Sequence, residues 1–130
     1  MSSERMRRVN EAIREVIGEV ASKELKDPRV GFVTVTDVKT SPDLRHARVY
    51  VSALDSRGYA MTESEREATL EGLRSAHGYL QHRVADELHL KHTPVLNFVY
   101  DDTPERALRL GELIDAAGDH GGEEQEEERE

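Results

Sequence analysis

The sequence predicts an α+β two-layer sandwich: a three-stranded sheet with helices on one face, in the order α-β-β-α-(kink)-α-β plus a C-terminal helix. Three observations carry that prediction. Residues 4–24 repeat apolar side chains at helical spacing. Residues 30–54 then switch to two β-like runs around a turn cluster. A second helical stretch, broken once at Ala76-His77-Gly78, leads to a third β-like run at 95–100.

In the first helix, Met6, Val9, Ile13, Val16, Ile17 and Val20 follow the i, i+3, i+4, i+7 spacing of one buried stripe. Arg7 and Arg14 flank that stripe, and Arg8 falls on the outer face. The helix is expected to stop before Asp27-Pro28, because a residue ahead of proline avoids the α region. Val30 to Lys39 is rich in β-branched residues and reads as a strand. Leu44 to Leu54 alternates, with Ala47, Val49, Val51 and Ala53 on one side and His46, Arg48, Tyr50 and Ser52 on the other. The Thr40-Ser41-Pro42-Asp43 cluster between them supplies a turn, so the two runs form a hairpin. Thr62 and Glu65 have the spacing of a capping box. The helix they open turns Ala68, Leu73 and Ala76 inward, and Tyr79, Leu80, Val84 and Leu88 begin a second stripe after the break. Thr93-Pro94 closes the helical region, and Val95 to Tyr100 is the third strand. Thr103-Pro104 then opens a last helix, with threonine as cap and proline at its favoured first position. Ala107, Leu108, Leu110, Leu113 and Ile114 are expected to dock it.

At 130 residues the chain is one domain of ordinary size. Only 5% of residues are aromatic, so the core is built from Val, Leu, Ile and Ala. There is no cysteine, which excludes disulfides, thiolate metal sites and cysteine nucleophiles. No apolar run reaches the roughly 20 residues of a membrane span, and no apolar segment follows the basic N-terminus as in a signal peptide. A cytoplasmic location is expected. The net charge of −9 is unevenly spread: +2 over residues 1–53, −5 over 54–117 and −6 over 118–130. Residues 118–130 are glycine and glutamate with almost nothing apolar, and are expected to be a disordered acidic tail beyond a domain at 1–117. The acid pI therefore reports the tail and middle of the chain and does not argue against a local basic surface.

The break at Ala76-His77-Gly78 is the strongest functional signal. A glycine inside a helix costs about 1 kcal/mol against alanine. Two readings stand side by side: a small-residue kink where elements cross, or a bend with free N–H groups suited to a phosphate.

The order of elements resembles a KH domain of type II, which clamps nucleic-acid backbone with a Gly-x-x-Gly loop between two helices. Here Ala76-His77-Gly78 stands in that place, and such an Ala-x-Gly kink resembles the ribosome-binding factor A family. Arg7-Arg8-Val9-Asn10-Glu11, Asp27-Pro28-Arg29-Val30, Ser41-Pro42-Asp43-Leu44-Arg45-His46 and Phe98-Val99-Tyr100-Asp101-Asp102 agree with it in order and spacing. The resemblance covers about residues 4–115. It implies a non-enzymatic assembly factor, associated with growth in the cold, that binds the immature small (30S) ribosomal subunit and assists 16S rRNA maturation and end processing. The alternative is a KH-like module that binds a ribosomal protein or self-associates through a sheet edge.

On this reading the RNA-binding residues are Arg7 and Arg8 on the first helix, Lys39, Arg45 and His46 at the hairpin beside Arg48, and Arg74, Ala76, His77, Gly78 and Arg83 at the bend. No cofactor, membrane or small-molecule substrate is expected, and the chain is expected to be a monomer. His82 with Asp86, and His89 with His92, have spacings that a metal can share. No third ligand joins either pair at motif spacing, and Thr93-Pro94 ends the helix before His92. Asp101-Asp102 reads as the strand exit and cap region rather than a catalytic pair. The acidic tail is a solvated end or, more sharply, a nucleic-acid mimic that competes for the basic face.

Overall fold

The computed structural model describes residues 2–30, 32–55, 57–107, 110, 111 and 114. The expected tail from Gly118 lies outside them. The named elements are α1 (Ser2–Lys23), β1 (Phe32–Thr40), β2 (His46–Leu54), α2 (Glu63–Ser75), α3 (His77–Leu88) and β3 (Val95–Tyr100).

The sheet has the order β1-β2-β3. β1 and β2 pair antiparallel as the hairpin, while β3 returns parallel to β2. A parallel neighbour needs a crossover, and α2 with α3 is that crossover. One side of every strand faces the helices. Val33, Val35 and Val38 from β1, Ala47, Val49 and Val51 from β2, and Leu96 and Phe98 from β3 are all buried. They meet Val9, Ile13, Val16, Ile17, Val20 and Ala21 of α1, Leu70 and Leu73 of α2, and Leu80 and Val84 of α3. Each buried aliphatic side chain contributes about 1.5–3 kcal/mol of transfer free energy. Twenty buried hydrophobic residues build this core among the described residues, and Phe98 is the one aromatic in it.

The open side of the sheet is set by register. Lys39 lies opposite Arg48, and Arg48 opposite Asn97, so the three form one row across the strands. His46 pairs with Val95 in the next row, and Phe32 with Leu54 at the far end. No local signal announces the bulge at Thr36, where the register slips between Val35 and Asp37. The extra residue turns its hydroxyl to donate to the Asp101 carboxylate at 2.6 Å, tying the middle of β1 to the exit of β3.

The helix ends follow their local chemistry. α1 stops at Lys23, four residues ahead of Asp27. Leu25 N–H reaches back to the Val20 carbonyl at 3.1 Å, and Val30 N–H closes the next turn on Asp27. The capping box at Thr62 is complete: its hydroxyl accepts from Glu65 N–H, and the Glu65 carboxylate accepts from Thr62 N–H. Buried Thr69 donates towards the Arg29 carbonyl at 3.2 Å, and Gly72 lets α2 press on the same turn. A Cβ on Gly72 would lie 2.8 Å from Val30 Cγ2. Leu70 and Gly72 are therefore core residues of α2, whereas Ala68 and Ala76, expected inward, are half-buried. Tyr79, expected in the buried stripe of α3, is 46% exposed. Its hydroxyl donates to Glu24 at the end of α1, so it caps the core rather than entering it.

Residues 103–107, 110, 111 and 114 are helical. Arg106 N–H donates to the Asp102 carbonyl, so the cap falls on Asp102, one residue before Thr103. Ala107, Leu110 and Ile114, expected to dock this helix, are exposed, and Leu108 and Leu113 lie outside the described residues. Its start is held by a polar clamp instead. Buried Glu105 accepts from the Tyr100 hydroxyl at 2.6 Å and from Arg66 at 2.9 Å, with the Arg66 guanidinium 4.8 Å from the Tyr100 ring centre. No described helix is long and apolar enough to cross a membrane.

Candidate nucleic-acid interface

The bend is made by Ala76, which ends α2 and begins α3 with φ −92° and ψ 14°. Its N–H still bonds back to the Gly72 and Leu73 carbonyls. The next backbone bond across the joint runs from Leu80 N–H to the Ala76 carbonyl at 2.9 Å. No side chain caps α3, so its first N–H groups are the unsatisfied donors of a helix start. Gly78 is exposed, and nothing lies within 4 Å of where its Cβ would sit. The glycine at the bend keeps an outer surface bare, while Gly72 is the one that packs. His77 is half-buried beside it.

Two contacts fix this bend against the rest of the fold. Arg83 donates from Nη1 to both Glu24 carboxylate oxygens at 2.6 and 2.5 Å. Ser75 Oγ lies 3.4 Å from the Arg29 guanidinium, which is itself fork-bound to Asp27. Those Arg29 bonds, with the Arg29 N–H, hold the Asp27 carboxyl down from 3.8 to about 2. The bend thus sits against the far end of α1 and the turn that follows it.

The hairpin basics occupy the other end. Asn10 and Thr40 hydrogen-bond to one another, joining the first half of α1 to the end of β1. Arg7 and Arg8, a turn earlier on α1, belong to this end too. A rise of 1.5 Å per residue puts Asn10 and Glu24 about 20 Å apart along α1, so the expected site residues fall into two groups. Arg7, Arg8, Lys39, Arg45 and His46 are in one, and Arg74, Ala76, His77, Gly78 and Arg83 in the other.

The two groups differ in free charge. Arg7 pairs with Glu4 at 2.7 Å and Arg8 reaches the same carboxylate at 4.0 Å. Arg74 pairs with Glu67 at 3.6 Å, and Arg83 with Glu24. Among the described residues Lys39, Arg45, His46 and Arg48 have no ion-pair partner. The nearby Asp43 is occupied by the Ser41 hydroxyl at 2.7 Å and the Arg45 N–H, which hold its carboxyl below the usual range. Arg48 was visible in the sequence as part of the hairpin cluster. The register that places it between Lys39 and Asn97 was not.

Asp101-Asp102, expected at the strand exit and cap, is spent on structure. Asp101 accepts from the Thr36 hydroxyl and from Thr103 N–H, and its carboxyl is held down chiefly by the former. Asp102 pairs with Arg106 at 3.2 Å. His82 faces Asp86 at 3.4 Å on the exposed side of α3, while His89 is the left-handed cap that ends the helix. No cluster of three metal-ligating side chains occurs among the described residues.

The fold is that of a KH-like α+β domain, with the Ala76-His77-Gly78 bend between α2 and α3. The family model for ribosome-binding factor A matches residues 5–114. The chain belongs to the ribosome-binding factor A family. A ribosome-binding factor A from Halothermothrix orenii is 40% identical over 114 residues, 88% of each chain. The crystal structure of ribosome-binding factor A from Thermus thermophilus superposes with a TM-score of 0.61 at 25% identity, covering 73% of this chain and 94% of that one. A homology model of the Thermus thermophilus factor, fitted into a cryo-EM map of a 30S complex, superposes with a TM-score of 0.53 at 26% identity. It covers 75% of this chain and 91% of that one.

Proposed function

We propose that this chain binds the immature small ribosomal subunit as a non-enzymatic assembly factor and assists 16S rRNA maturation and end processing in the cytoplasm. The observation that carries the proposal is the likeness to a relative placed in a 30S complex. The chemistry of the surface agrees with it. Bare backbone at Gly78 admits close approach of a sugar-phosphate chain, and the hairpin cations, without ion-pair partners among the described residues, attract it.

The RNA contacts on this proposal are Arg7, Arg8, Lys39, Arg45 and His46 at one end, and Arg74, His77 and the backbone of Ala76 and Gly78 at the other. Arg83 serves by holding the bend in place. Binding energy favours one RNA conformation over others and shifts a folding equilibrium. Phosphate contacts set affinity, and RNA shape sets most of the specificity. Residues 118–130, rich in glutamate, extend the proposed domain at 1–117. A role in growth at low temperature belongs to the same proposal.

The test is co-sedimentation with immature small subunits, followed by binding to protein-free 16S RNA. Binding to both supports the proposal. A second reading, contact with a ribosomal protein, draws on one observation: Phe32 and Leu54 pair across β1 and β2, are 64% and 43% exposed, and border an apolar groove of about 750 Å³. Binding to subunits but never to RNA supports that second reading.

A further inference from the structure

The open face of the sheet holds a recess of about 250 Å³, lined by Lys39, Thr40, Ser41, His46, Arg48 and Asn97. It is smaller than the 300–1,000 Å³ of ordinary small-molecule pockets, and suits one charged group rather than a whole cofactor. Three of its six walls carry side chains that bear or can gain positive charge, and none of the three has an ion-pair partner among the described residues.

Its frame is rigid. Ser41 N–H donates to the His46 carbonyl at 2.8 Å, and His46 N–H returns to Ser41 Oγ at 3.1 Å, closing the hairpin end. Thr40 is buried and bound to Asn10 of α1. Lys39, Arg48 and Asn97 stand in one row, held by pairing on both sides of β2. Tyr50 is two residues along β2 on the same face. Its ring centre is 5.9 Å from Lys39 Nζ, and its hydroxyl accepts from Arg48 at 3.3 Å. Cations held before a ligand arrives lose little freedom on binding it.

We propose that this recess is a second RNA contact, separate from the bend, that takes one unpaired nucleotide: its phosphate between Lys39, His46 and Arg48, its base against Tyr50. The inference rests on the ribosomal reading and deepens it. A stacked base must be free of a partner strand, which selects a loop or single-stranded segment over a duplex. The bend, on the helical layer and about 20 Å away along α1, then meets a different part of the same RNA.

The test uses the full chain and a fluorescent single-stranded RNA of about twelve nucleotides, within the range one such surface spans, titrated at several salt concentrations. Lys39→Ala and Arg48→Ala are each expected to weaken binding several-fold and to reduce the log–log salt slope by about 0.7, the value for one phosphate of a single strand. Arg48→Lys restores the slope. Tyr50→Leu weakens binding with the slope unchanged, since no charge is lost. Arg57→Ala, at the other end of the hairpin and paired with Asp55, changes neither. Melting temperatures identify any variant that fails to fold, and Lys39→Gln and Arg48→Gln, which keep most of the side-chain stem and lose the charge, then carry the test.

Slopes and affinities that stay at the wild-type value in Lys39→Ala and Arg48→Ala overturn the inference. So does a synthetic peptide of residues 118–130 that shifts Ser41 and Asn97 amide signals while the RNA shifts none. Parallel sedimentation separates the two claims: a wild-type chain that binds small subunits with an insensitive recess loses only this inference. A chain that binds neither subunits nor RNA loses both.

Discussion

Arg83 Nη1 lies 2.5 Å from Glu24 Oε2, joining the second turn of α3 to the residue that follows α1. Tyr79 donates to the same carboxylate from one turn earlier. Both bonds hold the Glu24 carboxyl below its usual range, Arg83 contributing most, and the pairing holds the Arg83 guanidinium even more firmly protonated. An arginine already neutralised in this way adds little to a salt slope. Arg83→Ala is therefore expected to lower the melting temperature while leaving the salt dependence of RNA binding nearly unchanged. A slope that falls by a full phosphate in this variant, measured at matched stability, would show that Arg83 meets RNA directly.

The two glycines of the α2–α3 region make opposite predictions. Gly72→Ala drives a methyl into Val30 and Arg29, and overpacking of this kind costs about 1–3 kcal/mol. Gly78→Ala meets nothing and gains helix propensity, for a change of about 0 to 1 kcal/mol in favour of folding. Urea unfolding of both variants measures the difference directly.

Thr62→Ala removes the hydroxyl from a complete capping box. The expected loss is about 1 kcal/mol, read by the same unfolding experiment. Equal stability would mean that the first turn of α2 frays without cost.

Asp27 sets an acid limit. Its folded carboxyl titrates at about 2, against 3.8 when free. A carboxyl depressed by folding contributes stability that is present above its unfolded value and is lost as pH falls through the folded one. Thermal stability should therefore fall between about pH 4 and pH 2, and Asp27→Asn should flatten that part of the profile. An unchanged profile in the variant would assign the acid transition to other carboxylates.

Elements with a strong local signal were legible in the sequence. The α1 stripe from Val9 to Val20, the inward Ala47, Val49, Val51 and Ala53 and the Thr62–Glu65 capping box all depend on residues close in the chain and lie where their spacing put them, whereas Met6 is half-buried and Ser52, expected on the open side, is buried. The misses depend on partners far apart. Thr36 forms a bulge because Asp101 waits 65 residues away. Tyr79 turns outward because Glu24 accepts its hydroxyl, and the last helix is clamped by Arg66 and Tyr100 through Glu105 rather than by its leucines. The bend was visible as a break in helical pattern, but which glycine packs and which stays bare follows only from the approach of Val30 to Gly72. Likewise the hairpin cations were visible one by one, and their row across Asn97 required the parallel register of β3.

Co-sedimentation of the full chain and its Gly78→Leu variant with immature small subunits decides whether the bend binds. The wild-type chain is expected to travel with the subunits. The variant, whose added Cβ meets no packing neighbour, is expected to unfold at about the same temperature and to stay in the supernatant. A stable variant that sediments as well as the wild-type chain would contradict a role for the bend in binding. A wild-type chain that does not sediment would contradict the ribosomal function itself.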